Sequence, residues 1–257
     1  MDVRKGKFIL PNLFTLASVF LGVVAVVSCL GEPDDAGIRR AAIAILFAMV
    51  ADSLDGRVAR MTRTSTRFGV QLDSLADVLS FGMAPAVLGF VFGLRQWPPL
   101  LGEAIAFVYV ACGALRLARF NLQADSAQPT HYFTGLPIPA AAGTVAMWTW
   151  AATDLSVPLS VRPATVAAAM IVTALLMVST IRYPSFKHVR LSLAARAGIL
   201  LLVASVVVAA VRTHTSAVLL GVALTYVVLG PAGWAIRLPS RLLARRRRAP
   251  APERPEK

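Results

Sequence analysis

Residues 52–77, DSLDGRVARMTRTSTRFGVQLDSLAD, hold Asp52, Asp55, Asp73 and Asp77. The chain has 257 residues, only thirteen acidic ones, and a formal net charge of +13. Four of its few carboxylates therefore lie in one short stretch. On an α-helix Asp52, Asp55, Gly56 and Ala59 share a face, and Gly69, Asp73, Asp77 and Ser80 form a second stripe. The polar connector 61–68 is short, so the two helices are predicted to be antiparallel neighbours. Their acidic faces would then converge at one depth.

Clustered carboxylates in a poorly solvated site repel one another. Some can stay protonated, as on a proton or cation pathway. Alternatively, divalent cations can sit between them. Two such ions about 3.5–4 Å apart clamp a phosphoryl group and offset its developing charge. Oxygen-only ligation favours Mg²⁺ or Mn²⁺. Gly56, Ala59 and Gly69 leave room for a bulky ligand at the backbone, and Arg60 is positioned to meet a phosphate. Acids, small residues and an arginine together fit a nucleotide diphosphate with its metals better than a bare ion path. Simpler roles stand beside this one: a single Asp near a helix end is often a cap, and Gly and Ala in a span are often packing residues.

The elements that carry these residues are apolar. Hydrophobic residues make up 57% of the chain and charged ones 15%, with a mean hydropathy of +0.68; a soluble domain carries roughly 25% charged residues. The expectation is an all-α integral membrane protein with about eight transmembrane helices. They are placed at 10–30, 38–60, 70–94, 100–122, 136–154, 162–180, 195–211 and 214–234. The predicted organisation is a tail at 1–9, a catalytic membrane domain of six helices at 10–190, two further helices at 191–236, and a basic disordered tail at 237–257. The first apolar run reads as a retained transmembrane helix rather than a cleaved leader. Cys29 and Cys112 lie in apolar runs and suggest neither a disulfide framework nor a zinc site.

With both termini on one side, that side collects 21 of the 26 basic residues. The positive-inside rule makes it the cytoplasmic face of the cell membrane and puts residues 52–80 there. Because the charges are spread over loops and follow topology, no nucleic-acid partner is expected. The basic tail suits an anionic leaflet. Trp97, Trp148, Trp150 and Trp234 lie mostly near predicted span ends, as interface residues do. His131, His188 and His214 have no partner at ligand spacing and receive no role.

Written out, residues 52–77 read D-x2-D-G-x2-A-R-x8-G-x3-D-x3-D, with Asp52, Asp55, Gly56, Ala59, Arg60, Gly69, Asp73 and Asp77 at the fixed positions. This resembles the signature of the CDP-alcohol phosphatidyltransferase family without a departure. The resemblance implies that family's helical bundle and an enzyme that moves a phosphatidyl group from a CDP-linked lipid to an alcohol, releasing CMP. It further implies that Asp52, Asp55, Asp73 and Asp77 hold two Mg²⁺ or Mn²⁺ ions, with Asp77 also the general base. Gly56, Ala59 and Gly69 would make room for the nucleotide, and Arg60 would contact phosphate.

Three further stretches, ACGALRLARFN (111–121), FTGLPIPAAAG (133–143) and STIRYPSFK (179–187), are similar to segments of bacterial CDP-diacylglycerol–serine O-phosphatidyltransferases. That similarity spans most of 8–190 and implies CDP-diacylglycerol and L-serine as substrates, membrane lipids as surroundings, and a homodimer. Arg116 and Arg119, three apart at the end of a span, are candidates for the serine carboxylate or a lipid phosphate; anchoring at the interface is the alternative. Asn121 is a weaker candidate. Glycerol phosphate or an inositol compound as acceptor, and a cation or proton transporter, remain as rival readings. A transporter would more often show broken helices or repeated halves at the membrane midplane.

Overall fold

The structure is a computed structural model that describes residues 3–31, 34–62, 66–124, 132–184 and 215–247. The expected helix 195–211, His131, Lys187, His188, His214 and the chain after Arg247 lie outside the described residues. So do the side chains of Ala59 and Arg60, whose backbone is helical.

Helix α1 spans Val3–Val27 and α2 spans Asp35–Thr62. Then α3, Arg67–Asp77, runs through a wide turn of π-helix, Val78–Met83, into α4, Ala84–Phe92. After a 3-10 turn come α5 (Leu101–Ala124), strand β1 (Tyr132–Thr134), α6 (Ile138–Asp154), α7 (Arg162–Val178), strand β2 (Arg182–Pro184) and α8 (Thr215–Arg247). Prolines stand in the first turns of α4, α6 and α7, where a missing N–H costs nothing.

The expected helices that fall within the described residues are present. Three are long and apolar enough to cross a membrane: Phe68–Phe92, Leu101–Gln123 and Thr215–Trp234. Apolar segments Asn12–Val27 and Arg162–Val178 are shorter. α6 has 17 residues, and α2 carries charges toward both ends around its apolar centre. Beside the helices lies one short hairpin, in which β1 pairs antiparallel with β2, with Phe133 opposite Tyr183 and Thr134 opposite Arg182. Helix α8 continues to Arg247. Leu, Ala and Arg are good helix formers, and they extend a helix that is already nucleated.

Small residues set the packing. Ala41, Ala42, Ala44 and Ala48 on α2 are buried, as are Ala141, Ala142 and Ala146 on α6. Their size lets the two helix backbones approach, and α6 lies at the centre of the bundle against α2, α7 and α8. At the end remote from the acidic stretch, Asp154 accepts from Arg39 at 3.0 Å and from the Ser216 hydroxyl at 2.6 Å. One carboxylate thus links α2, α6 and α8. Arg162 lies 3.8 Å from Asp35 and 5.0 Å from the centre of the Phe92 ring. Asp154→Ala is expected to destabilise the detergent-solubilised protein by about 1–2 kcal/mol, read as a lower midpoint of thermal unfolding.

The π turn has a local cause. Pro85 has no N–H to offer the Phe81 carbonyl four residues earlier. The hydroxyl of the fully buried Tyr109 on α5 donates to that carbonyl at 3.3 Å. Ser80 donates to the Ser18 carbonyl on α1 at 3.0 Å. Gly22 permits this approach, because a Cβ there would lie 3.0 Å from the Ser80 Cα. The wide turn that follows Asp77 directly is therefore pinned from two sides.

Candidate active site

Helix α1 packs against both α2 and α3, while α2 meets the rod of α3 and α4 mainly through α4 and the π turn. The two acidic helices therefore lean together along α1 instead of packing face to face at their acidic ends. Across that cleft Asp52, Asp55 and Asp73 each offer a carboxylate oxygen, and these atoms lie within 4.8 Å of one another. Asp77, one turn beyond Asp73, reaches the Asp52 carboxylate at hydrogen-bonding range. The helical spacing of the sequence thus brings all four acids to one place, with three forming the tight cluster and Asp77 at its edge.

The cluster is oriented from α1. The buried Thr15 hydroxyl donates to Asp55 Oδ2 at 2.8 Å, and the Gly56 amide donates to the same carboxylate. Such donors fix which oxygens remain free to face a ligand. Three converging carboxylates suit a hard divalent cation. Thr66 caps α3 by accepting from the Gly69 amide at 3.0 Å. A Cβ on Gly69 would lie 3.2 Å from Thr66 Oγ1 and 3.7 Å from Asn12 Oδ1, so the glycine keeps the cap and the rim of the cleft open. Asn121 on α5 donates to the Ser74 hydroxyl at 2.9 Å, bracing α3 between Asp73 and Asp77.

Arg116 and Arg119 share a face of α5 but do different work. Arg119 donates to the carbonyls of Val178 (2.9 Å), Thr134 (3.1 Å), Ser179 (3.2 Å) and Met177 (3.3 Å). It gathers the end of α7 and the start of the hairpin around one guanidinium. Gly135, at φ +81, takes a conformation that favours glycine, and a Cβ there would run into the Met177 carbonyl and crowd Arg119. Arg119→Ala is expected to cost about 2 kcal/mol of stability. Arg119→Lys should recover little of it, since an ammonium lacks the planar fork; thermal unfolding of the two variants checks this.

Arg116, by contrast, is buried at 7% exposure, and its Nε has no hydrogen-bond partner among the described residues. Asp77 is 9% exposed with Oδ1 equally unpartnered. The two attract each other without closing to an ion pair. Tyr226 of α8 lies within electrostatic range of Arg116. Next to it, the Tyr183 hydroxyl donates to the Val227 carbonyl at 3.1 Å. Burial and, secondarily, Tyr226 push the Tyr183 phenol up to about 12, so it stays a donor.

Comparison of the sequence with known proteins gives the family. The profile of the family described as CDP-alcohol phosphatidyltransferase matches residues 8–181, more than half of the chain. The chain belongs to the CDP-alcohol phosphatidyltransferase family. A relative from Helicobacter pylori, named CDP-diacylglycerol–serine O-phosphatidyltransferase, is 35% identical over 186 residues, covering 72% of this chain and 76% of its own. A Mycobacterium tuberculosis protein of the same name is 40% identical over 139 residues, 52% of this chain and 46% of the relative. An archaetidylserine synthase from Methanothermobacter thermautotrophicus is 37% identical over 190 residues, 71% and 73% of the two chains. Within this CDP-alcohol phosphatidyltransferase, α2 to α7 and all but the start of α1 fall in the matched region, and α8 lies beyond it.

Several site residues do not stand out in the sequence. Asn12, Thr15 and Ser18 stand at intervals of three on α1, and Gly22 follows at four. That polar stripe at helical spacing is the available signal, set within a run that reads as a plain apolar span. Tyr183 and Tyr226 carry no signal, because their meeting depends on how α8 docks.

Proposed function

We propose that the chain transfers the phosphatidyl group of CDP-diacylglycerol to the hydroxyl of L-serine, giving phosphatidylserine and CMP. The observation that carries this reading is the convergence of Asp52, Asp55 and Asp73, with Asp77 beside them, in a chain whose relatives bear the serine transferase name. The four carboxylates hold two divalent cations, Mg²⁺ or Mn²⁺ by the hardness of the donors. Bound there, the ions would neutralise the pyrophosphate and the leaving CMP.

The protein's own groups then have distinct tasks. Thr15 and the Gly56 amide hold Asp55 in orientation. Asp77 takes the proton from the serine hydroxyl. The serine oxygen forms its bond to the lipid-side phosphorus as the bond from that phosphorus to the CMP oxygen breaks. Gly56, Ala59 and Gly69 leave room for the nucleotide, and Arg60 contacts phosphate. Arg116 is the cation for the serine carboxylate, while Arg119 is occupied by backbone carbonyls. The surrounding fold is a bundle of eight spans in the cell membrane, with both termini and the acidic cleft on the cytoplasmic side and two copies as the working unit. Water-soluble serine and CMP reach the site from there.

The test supplies the purified protein with CDP-diacylglycerol, Mg²⁺ or Mn²⁺, and one alcohol at a time, and follows CMP release. Release that requires serine supports the reading. Release with glycerol phosphate but not serine replaces the acceptor, and no release with any alcohol returns the acids to an ion pathway.

A further inference from the structure

We propose that Tyr109 is a positioning residue for the reaction: through the π turn it holds, it sets the rotation at which Asp77 enters the cleft. This rests on the serine-transfer reading above and adds to it a residue on another helix, outside the acidic motif. Asp77 is the last residue of α3, and the π turn begins at the next one. In this turn the Ala84 amide donates to the Leu79 carbonyl, five residues back. An α-helical turn reaches back four, and each helical residue turns the chain by about 100°. A turn one residue longer therefore rotates the acidic stripe of α3 relative to α4 by roughly that angle, compared with an unbroken α-helix.

Helix α4 cannot adjust for this. Leu88 and Phe92 are buried, and a Cβ on Gly89 would lie 2.6 Å from Met170 Sδ and 3.2 Å from Val166 Cγ2 on α7. The rotation of α4 is thus fixed by the bundle, and the phase of Asp77 is decided in the turn. Two features keep that turn wide. In an α turn the Pro85 ring would clash with the Phe81 carbonyl. Tyr109, fully buried on α5, instead takes that carbonyl with its hydroxyl at 3.3 Å. Ser80 adds a second hold through the Ser18 carbonyl at 3.0 Å. The rest of α3 is tied down separately, by the Thr66 cap and by Asn121 on Ser74. Loosening the turn therefore moves Asp77 more than Asp73.

Tyr109→Phe removes one hydroxyl and keeps the ring. Initial rates of serine-dependent CMP release, Mn²⁺ binding and the midpoint of thermal unfolding are measured on the purified full chain. The expected result is a kcat lowered about tenfold, with both substrate KM values and the Mn²⁺ affinity within about threefold of wild type. Ser80→Ala, which releases the other hold, should lower kcat in the same direction. The deciding variant is Pro85→Ala/Tyr109→Phe. An alanine amide can bond to the Phe81 carbonyl and close an α turn. The midpoint should then rise above that of Tyr109→Phe while kcat falls further, to roughly a hundredth of wild type. A structural role alone would move stability and activity together. A Tyr109→Phe kcat equal to wild type, or a double variant that regains activity along with stability, overturns the inference while serine transfer stands. A wild-type protein whose CMP release ignores serine removes the functional reading itself, and the inference with it.

Discussion

Asp77→Asn is expected to reduce serine-dependent CMP release by roughly a thousandfold, the scale of removing a general base. The amide is nearly the same size and stays buried at the start of the π turn, so the fold and nucleotide binding should survive. Asp77 is singled out by position. It stands one turn beyond Asp73, beside Asp52, and within electrostatic range of Arg116. A base must sit where the acceptor hydroxyl can be placed, and Arg116 lies within electrostatic range of this edge. Because loss of turnover alone would also follow from losing a metal ligand, Mn²⁺ binding to the variant is the companion measurement. Near-normal Mn²⁺ binding with abolished turnover identifies the base. Full activity in Asp77→Asn rules the assignment out.

Removing divalent cations with a chelator should bring turnover to background, with Mg²⁺ or Mn²⁺ restoring it and the larger Ca²⁺ restoring it poorly. Asp73→Ala should match the chelated enzyme within about tenfold even at saturating metal, since it deletes one of the three converging donors. Thr15→Val is a milder form of the same experiment: the ligands remain, but Asp55 loses the donor that orients it. Activity that persists under chelation would show that the carboxylates serve another purpose.

Much of this site is legible in the order of residues. The pairs Asp52–Asp55 and Asp73–Asp77 are spaced for helices, and the short connector brings the helices together, so their convergence follows from local rules. What local rules omit is the third body. Those rules pack the acidic helices on each other, yet they meet along α1, whose Thr15 and Ser18 do the orienting and bracing. Arg116 and Arg119 look alike in the sequence, since residues three apart share a face. Their division of labour depends on where the β1–β2 hairpin folds back, and three-residue strands leave almost no periodic signal. The π turn is signalled only by Pro85, and its partner Tyr109 lies on another helix. Position along α8 likewise hides the contacts that Tyr226 and Gly230 make with Tyr183.

The central claim is that this carboxylate cleft joins a phosphatidyl group to serine. Its most direct test is the fate of isotope-labelled serine in a reaction of the purified protein with CDP-diacylglycerol and Mg²⁺ or Mn²⁺. The account predicts label in phosphatidylserine, one CMP for each lipid formed, and neither product when Asp77 is replaced by Asn. CMP released without label entering lipid, or labelled lipid formed undiminished by Asp77→Asn, would contradict it.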